Sequence, residues 1–233
     1  GRDLVPSTSF FDLVCRLEKE TSVPRIRLGS IEPQELTCPL IDAMAASERL
    51  CSHFHIPLQS GDDDVLKRMG RPYGRDFFRD LVNRIHATIA DAGIGVDVIA
   101  GFPGESEREF RHTWELIESL PVSYLHVFPY SRRPGTAAAA MKNQLPAALV
   151  KERAALLRQL GESKKRSFYR RFLGRRLRVV VEGEKKGGMH RGLSGNFLPV
   201  YFPCDNHRAK EIVTVEIQGI SEKGLRGKII AVG

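Results

Sequence analysis

The sequence predicts an α/β chain: β/α units of a parallel sheet or TIM-like barrel, then a small antiparallel β-barrel. Three observations predict it. From residue 7 to about 143, apolar faces at helical spacing alternate with short apolar runs, in units of about 30–40 residues, the pattern of helix-linked parallel strands. From Arg175 the apolar period switches to two, with Gly and Asn between runs, as in small antiparallel barrels. Two of the early runs end in Pro, Gly and polar residues, at His55-Ile56-Pro57-Leu58-Gln59-Ser60-Gly61 and Gly101-Phe102-Pro103-Gly104-Glu105. Stacked β/α folds bind ligands at such C-terminal strand ends.

The elements follow in order. Phe10, Leu13, Val14 and Leu17 mark one helical face. Arg25–Gly29 reads as a short strand after Val23-Pro24, and Leu36, Leu40, Ile41 and Met44 as the next helix. Phe54–Leu58 is a strand. Phe78, Leu81, Val82, Ile85 and Ile89 form a helical stripe that Gly93 stops. Gly95–Phe102 is a strand, Phe110, Trp114, Ile117 and Leu120 line a helix with Trp114 in the core, and Val122–Phe128 is a fourth strand. Pro146 to Leu173 reads as one long helix, broken by Gly174. Leu177, Val179 and Val181 open the period-two region, and Val213, Val215 and Ile217 continue it, with five short strands expected in all. The domains expected are 1–145, a partial β/α barrel; 146–170, a linking basic helix; and 171–233, a small β-barrel.

The 233 residues are 42% hydrophobic, enough for a real core, and no run is long or apolar enough to span a membrane as a helix. The start at Gly1 carries no secretory signal, so a cytoplasmic protein is expected, of which this chain is a piece. Cys15, Cys38, Cys51 and Cys204 share no CxxC or CxxxCxxC spacing. They read as buried thiols rather than disulfides, and no metal site is expected in this chain. The net charge of +8 is uneven: Leu145 to Gly233 holds 19 Lys/Arg against 8 Asp/Glu, and residues 1–144 hold 17 against 20. A basic third on a slightly acidic body points to a polyanionic partner for that third.

Four strand ends gather chemistry. The first carries Ser30-Ile31-Glu32-Pro33; the second Gln59-Ser60-Gly61, then Asp62-Asp63-Asp64 and Leu66 to Arg71. The third holds Asp97 within the strand and Gly101 to Glu105 after it; the fourth gives Tyr130 to Thr136. Carboxylates, an amide, hydroxyls and an arginine suit a zwitterionic, ribose-bearing ligand, with Arg71 able to take a carboxylate in bidentate fashion. Plainer roles stand beside these. Glu32 and Asp97 could pair with helix N-termini, Gln59 could end a strand, and His55 reads equally as a packed histidine. Asp62–Asp64 reads as a helix start.

Five segments in register resemble the methylthiotransferase branch of the radical S-adenosylmethionine (SAM) superfamily: Ser-x-Glu-Pro at 30–33, His-x-Pro-x-Gln-Ser-Gly at 55–61, Leu-Lys-x-Met-x-Arg at 66–71, Gly-Phe-Pro-Gly-Glu at 101–105 and Tyr-Ser-x-Arg-Pro-Gly-Thr at 130–136. The resemblance implies the C-terminal part of a partial (β/α)6 barrel, its two missing strands upstream of Gly1, followed by a TRAM domain. It implies SAM as cofactor, held by Glu32, Gln59, Arg71 and Asp97, with Ser30 and Ser60 at the same mouth. The turn containing Gly101 and Pro103, and the residues near Val127-Phe128, would flank the adenosine. It also implies two 4Fe–4S clusters whose ligands lie outside this chain. The implied reaction inserts a methylthio group into a C–H bond: one cluster cleaves SAM to a radical, a second delivers sulfur, and a second SAM supplies the methyl. The chain alone is expected to be inactive, and no residue of it is assigned a catalytic role.

From Lys164 to Arg178 there are eight Lys/Arg in fifteen residues and no acid, with Phe168, Tyr169 and Phe172 interleaved. Cations neutralise phosphates and aromatics stack on bases, although such a run can also be a solvated helix face. The candidates are Lys164, Lys165, Arg166, Arg170, Arg171, Arg175 and Arg176, with Arg191, Asn196, Phe197, Tyr201 and Phe202 on the barrel. Within the resembled family a basic region suits tRNA, at an adenosine beside the anticodon, and not a basic ribosomal protein. The motif wording is most similar to the branch acting on N6-threonylcarbamoyladenosine; the isopentenyladenosine branch is the alternative. The other partners implied are an electron donor and a sulfur source, with no membrane. A non-catalytic RNA-binding protein with a degenerate barrel is the rival from another class. Arg132 and Arg133 are both candidates for substrate contact.

Overall fold

The computed structural model describes residues 5, 7–186, 188–203 and 209–232. Its chain divides into two compact units, residues 1–163 and 164–233.

In the first unit, α1 (Phe10–Glu20) opens on a capping box. The Ser9 hydroxyl accepts from Asp12 N at 3.0 Å, and Asp12 answers by accepting from Ser9 N at 2.9 Å, which satisfies two otherwise orphaned donors. The packing stripe of α1 is Phe10, Phe11 and Val14. That rotates Leu13 and Leu17, expected inside, to its exposed edge. Cys15 is exposed on the same helix and Cys38 at the first turn of α2 (Cys38–Ala46); only Cys51 is a buried thiol, and Cys204 lies outside the described residues.

The strand expected at Arg25–Gly29 is two isolated parallel bridges instead, Ile26 with Leu50 and Ser30 with His55. The offsets of these bridges differ by one residue, so no continuous ladder can join them. Leu28, between them, and Ile31, just past the second, are still buried. A short 3₁₀ turn, Pro33–Glu35, follows.

Three strands form one parallel sheet in the order β1 (His53–Gln59), β2 (Gly93–Ala100), β3 (Tyr124–Pro129). Phe54, Ile56, Leu58, Ile94, Val96, Val98 and Ala100, all buried, alternate onto one face. They share a core with Phe78, Leu81, Val82 and Ile85 of α4 (Arg75–Thr88) and Phe110, Leu116 and Ile117 of α5 (Glu107–Ser119). Trp114 is half-buried against that core. Asp62 is the N-cap of α3 (Asp63–Arg68), accepting from the amides of Asp64 and Val65. A short α6 (Ala137–Ala140) precedes α7 (Ala147–Arg170).

In the second unit, β4 (Arg176–Lys186), β5 (Met189–Ser194), β6 (Pro199–Pro203), β8 (Gly224–Val232) and β7 (Ile212–Ser221) close a five-stranded barrel in that order. It is not wholly antiparallel: β6 and β8 close it as a parallel pair. Val179, Val181, Val200, Phe202, Val213, Val215, Ile217 and Leu225 fill its core.

Candidate functional site

The sheet face opposite the helices is polar. His53 and His55 alternate along β1, and Tyr124 and His126 along β3, with Gly95 and Asp97 between them on β2. Parallel register sets His55, Gly95 and Tyr124 abreast, and then Pro57, Asp97 and His126. The Tyr124 hydroxyl lies 2.8 Å from His53 Nε2 and 3.0 Å from His55 Nδ1. His55 Nε2 lies 2.7 Å from Asp97 Oδ1, and His126 Nδ1 lies 3.3 Å from the same oxygen. Gly95 makes this possible: a Cβ there would sit 2.0 Å from the Tyr124 ring. Burial, with Arg27 nearby, pushes the His53 pKa down to about 3. Burial likewise lifts the Tyr124 hydroxyl well above its ordinary value. The network is closed at His53 and opens towards His126, whose side chain is 51% exposed.

The expected site residues fall around this face unevenly. Glu32 and Arg71 meet, Nη1 to Oε1 at 3.5 Å, beside an open groove lined by Gln34, Met69 and Pro72. Tyr73 ties this segment to β1 by donating to Pro57 O at 2.6 Å, and burial holds its hydroxyl at a pKa of about 12. Gln59 ends β1 in a bulge with a φ of 65°, a left-handed conformation uncommon for a non-glycine residue and recurrent at functional sites. Ser30 is exposed, and Phe128 is half-exposed at the end of β3.

Ser60 is corrected. Its side chain is fully buried, with the hydroxyl 3.2 Å from Thr113 Oγ1 and accepting from Asp62 N. It holds the turn after β1 to α5.

Gly101 and Pro103 are buried in a turn that Glu105 braces from within. Gly101 has a φ of 79°, and a Cβ there would meet Val150 at 2.6 Å. Its amide donates to Glu105 Oε2 at 3.0 Å, and Arg153 donates to the same oxygen and to Glu105 O, each at 2.8 Å. Burial raises the Glu105 carboxyl, opposed by those hydrogen bonds. The last residue of this motif is therefore a brace. Of the arginine pair, Arg132 is engaged in the fold, donating from Nε to Ala139 O at 2.9 Å, while Arg133 is exposed.

In the second unit the aromatics of the basic run turn inward. Phe168, Tyr169 and Phe172 are buried in the barrel core, not available for base stacking, because the barrel needs apolar cover at that end. Arg171 and Arg175 lie over Phe168 and Phe172 at 5.6 and 5.1 Å, and Lys165 lies 6.0 Å from the Tyr169 ring. Arg166, Arg170 and Arg176 are exposed, and Lys164 is half-exposed. Asn196 and Phe202 are buried as well, Asn196 accepting from the Ser194 hydroxyl. What remains outside is a row in register across neighbouring strands: Glu182, Arg191, Tyr201 and Arg226. Arg191 pairs with Glu182 at 3.2 Å. Phe197 stands in the turn beyond β5 with a φ of 68°.

Sequence reasoning missed His53, Tyr124, His126 and Arg226. The i, i+2 spacing of His53 with His55, and of Tyr124 with His126, was the signal for the first three. Arg226 needed the β6–β8 pairing, which no local pattern encodes.

Residues 11–117 match the radical SAM superfamily. The chain is 38% identical over 95% of its length to the threonylcarbamoyladenosine tRNA methylthiotransferase MtaB of Rickettsia prowazekii, covering 51% of it. It is 33% identical over 99% of its length to the tRNA-2-methylthio-N(6)-dimethylallyladenosine synthase of Acetivibrio thermocellus, covering 48% of it. The chain thus spans about half the length of the curated relatives it matches. In fold it is similar to the coproporphyrinogen III oxidase HemN of Escherichia coli, a radical SAM enzyme, at a TM-score of 0.51 and 15% identity over 89% of this chain and 50% of that one. Radical SAM proteins use SAM with a 4Fe–4S cluster. The cysteines present do not fit a cluster, since no close spacing joins them and Cys51 is buried while Cys15 and Cys38 are exposed. Residues 11–117 thus match the radical SAM superfamily, and nearly the whole length of the chain is similar in sequence to tRNA methylthiotransferases.

Proposed function

We propose that this chain is the SAM-binding and RNA-binding part of a tRNA methylthiotransferase acting on N6-threonylcarbamoyladenosine next to the anticodon. The observation that carries the reading is 38% identity to a relative of that name over 95% of the chain. The donor set fits the cofactor. Asp97 offers an oxygen to ribose hydroxyls, and the Glu32–Arg71 pair offers both charges that a zwitterionic methionine end needs. Once reduced by one electron, bound SAM would supply the hydrogen-abstracting radical, and a second SAM the methyl group; the chain's residues bind it, orient it and exclude water. The braced turn at Gly101 forms one wall of the mouth, and the half-exposed Phe128 offers the adenine a ring. The exposed part of the basic run and the Arg191–Tyr201–Arg226 row engage the anticodon stem-loop, phosphates by charge and a base by stacking. The ligands of the iron–sulfur clusters of such an enzyme would lie outside these 233 residues.

A second substrate is favoured by one observation: a dimethylallyladenosine synthase from Thermobifida fusca is 39% identical over 93% of the chain. Nucleoside mass spectrometry of tRNA from cells with and without the gene separates them. Loss of 2-methylthio-threonylcarbamoyladenosine is expected. Loss of the isopentenyl counterpart changes the substrate, and no change in any methylthio nucleoside overturns the enzyme reading in favour of an RNA binder.

A further inference from the structure

We propose that His53, Tyr124 and His55 form a directional hydrogen-bond chain that orients the Asp97 carboxylate, fixing Oδ1 and leaving Oδ2 to accept from the hydroxyls of a ribose. The ribose end rests on the SAM reading above; the chain of hydrogen bonds stands without it.

Direction follows from the donors. A carboxylate only accepts, so His55 Nε2, 2.7 Å from Asp97 Oδ1, carries a proton. With one ring proton, His55 Nδ1 must accept, and the Tyr124 hydroxyl at 3.0 Å donates to it. The hydroxyl oxygen in turn accepts from His53 Nε2 at 2.8 Å. Burial keeps His53 neutral and Tyr124 protonated, so each link has one proton to give. The ring of Tyr124 reaches β1 only by lying across the bare backbone of Gly95, its neighbour in register. His126 completes the surroundings of Oδ1 at 3.3 Å, and Arg27 is the nearby cation. A chain of aligned bonds in a low-dielectric interior strengthens its terminal acceptor contact and fixes the acceptor's rotamer. His53, Tyr124 and His55 are thus positioning residues, acting on ligand through Asp97.

A rival use exists. The donor atoms of His55, Asp97 and His126 lie within 4.8 Å of one another, a set a divalent ion could take. The proton that Asp97 requires on His55 Nε2 occupies the atom such an ion would need.

The test uses the full chain, with S-adenosylhomocysteine as probe and isothermal titration as readout. Tyr124→Phe keeps the ring over Gly95 and removes the hydroxyl. It should lower the melting temperature by a few degrees, because two buried histidine nitrogens lose their partner, and weaken binding about fivefold to tenfold. In an Asp97→Asn background the same change should have almost no further effect, because the chain acts only through that carboxylate. Histidine ring ¹⁵N NMR should show the Nε2–H tautomer at His55 in the wild type and also in Tyr124→Phe, where Asp97 still accepts, with only the Nδ1 resonance moving as its donor is lost. An Nδ1–H tautomer at His55, fully additive effects, or stoichiometric Zn²⁺ binding that His126→Ala abolishes would each overturn the proposal. A wild type that binds no S-adenosylhomocysteine but shows the Nε2–H tautomer retains the hydrogen-bond chain and overturns the ribose reading of Asp97.

Discussion

The two β assemblies of this molecule put their polar residues on opposite kinds of face. In the barrel, period-two alternation sends Val179, Val200, Phe202 and Val215 inward and Arg178, Arg191, Tyr201 and Arg226 outward. In the three-stranded sheet one alternate set, Phe54 to Val98, packs under helices, while the other set carries His53, His55, Asp97, Tyr124 and His126. Two of those, His53 and His55, are themselves buried. Burying polar groups costs free energy unless each finds a partner. The barrel exposes its charged residues and buries only a few polar ones, His190 and the bonded Ser194–Asn196 pair. The sheet meets that cost with a bonded network, the arrangement expected where geometry matters to a ligand. Stability is concentrated in one kind of face and chemistry in the other.

The largest effects should come from breaking each core. Phe202→Ala, at a fully buried position, should cost about 3–5 kcal/mol and melt the barrel first. Thermal denaturation followed by near-UV signal checks this, and a loss confined to the sheet unit would contradict it. Gly95→Ala should cost about 1–3 kcal/mol, since the new methyl overlaps the Tyr124 ring and the strands or the ring must shift. Its signature should be a destabilised sheet unit with an intact barrel.

A pH series sharpens the comparison further. His53 keeps its proton off down to about pH 3 when folded, against an ordinary 6.5. The unfolded chain therefore binds that proton first. The contribution of His53 to stability is complete above about pH 6.5 and is lost progressively as pH falls towards 3. Urea midpoints measured across that window should fall more steeply in the wild type than in His53→Gln. Equal slopes would mean the ring is not held neutral.

The smallest effect on stability, and the clearest on binding, should come from the outer surface of the second unit. Replacing Lys164, Lys165, Arg170 and Arg171 together by Ala should weaken binding to an anticodon stem-loop. It should also flatten the salt dependence by roughly three in log–log slope, at ~0.7–0.9 for each phosphate no longer neutralised. Tyr201→Ala should weaken binding without altering that slope. An unchanged slope in the quadruple variant would make the run a solvated surface.

Much is legible in the sequence because it is local. Helical stripes such as Phe78, Leu81, Val82 and Ile85, the Asp62 cap, the switch of period at Arg175 and the glycine- and proline-rich strand ends are set by spacing and by backbone preference. Those preferences also mark Asp97 and Gln59 as rim residues. The rest depends on pairing between distant segments. A one-residue slip turns Arg25–Gly29 from a strand into two bridges. The alternation of Phe168, Tyr169 and Phe172 among cations resembles a stacking surface, until a barrel end needs cover. Ser60 resembles a ligand contact until α5 supplies Thr113 beneath it. Tyr124 and His126 lie some seventy residues from β1, and only the parallel register across Gly95 brings them to His55 and Asp97. Sequence by itself determines what each segment prefers and which face it can bury, because those are short-range energies. Which polar groups share a face is decided by register, and register is a property of the assembled sheet.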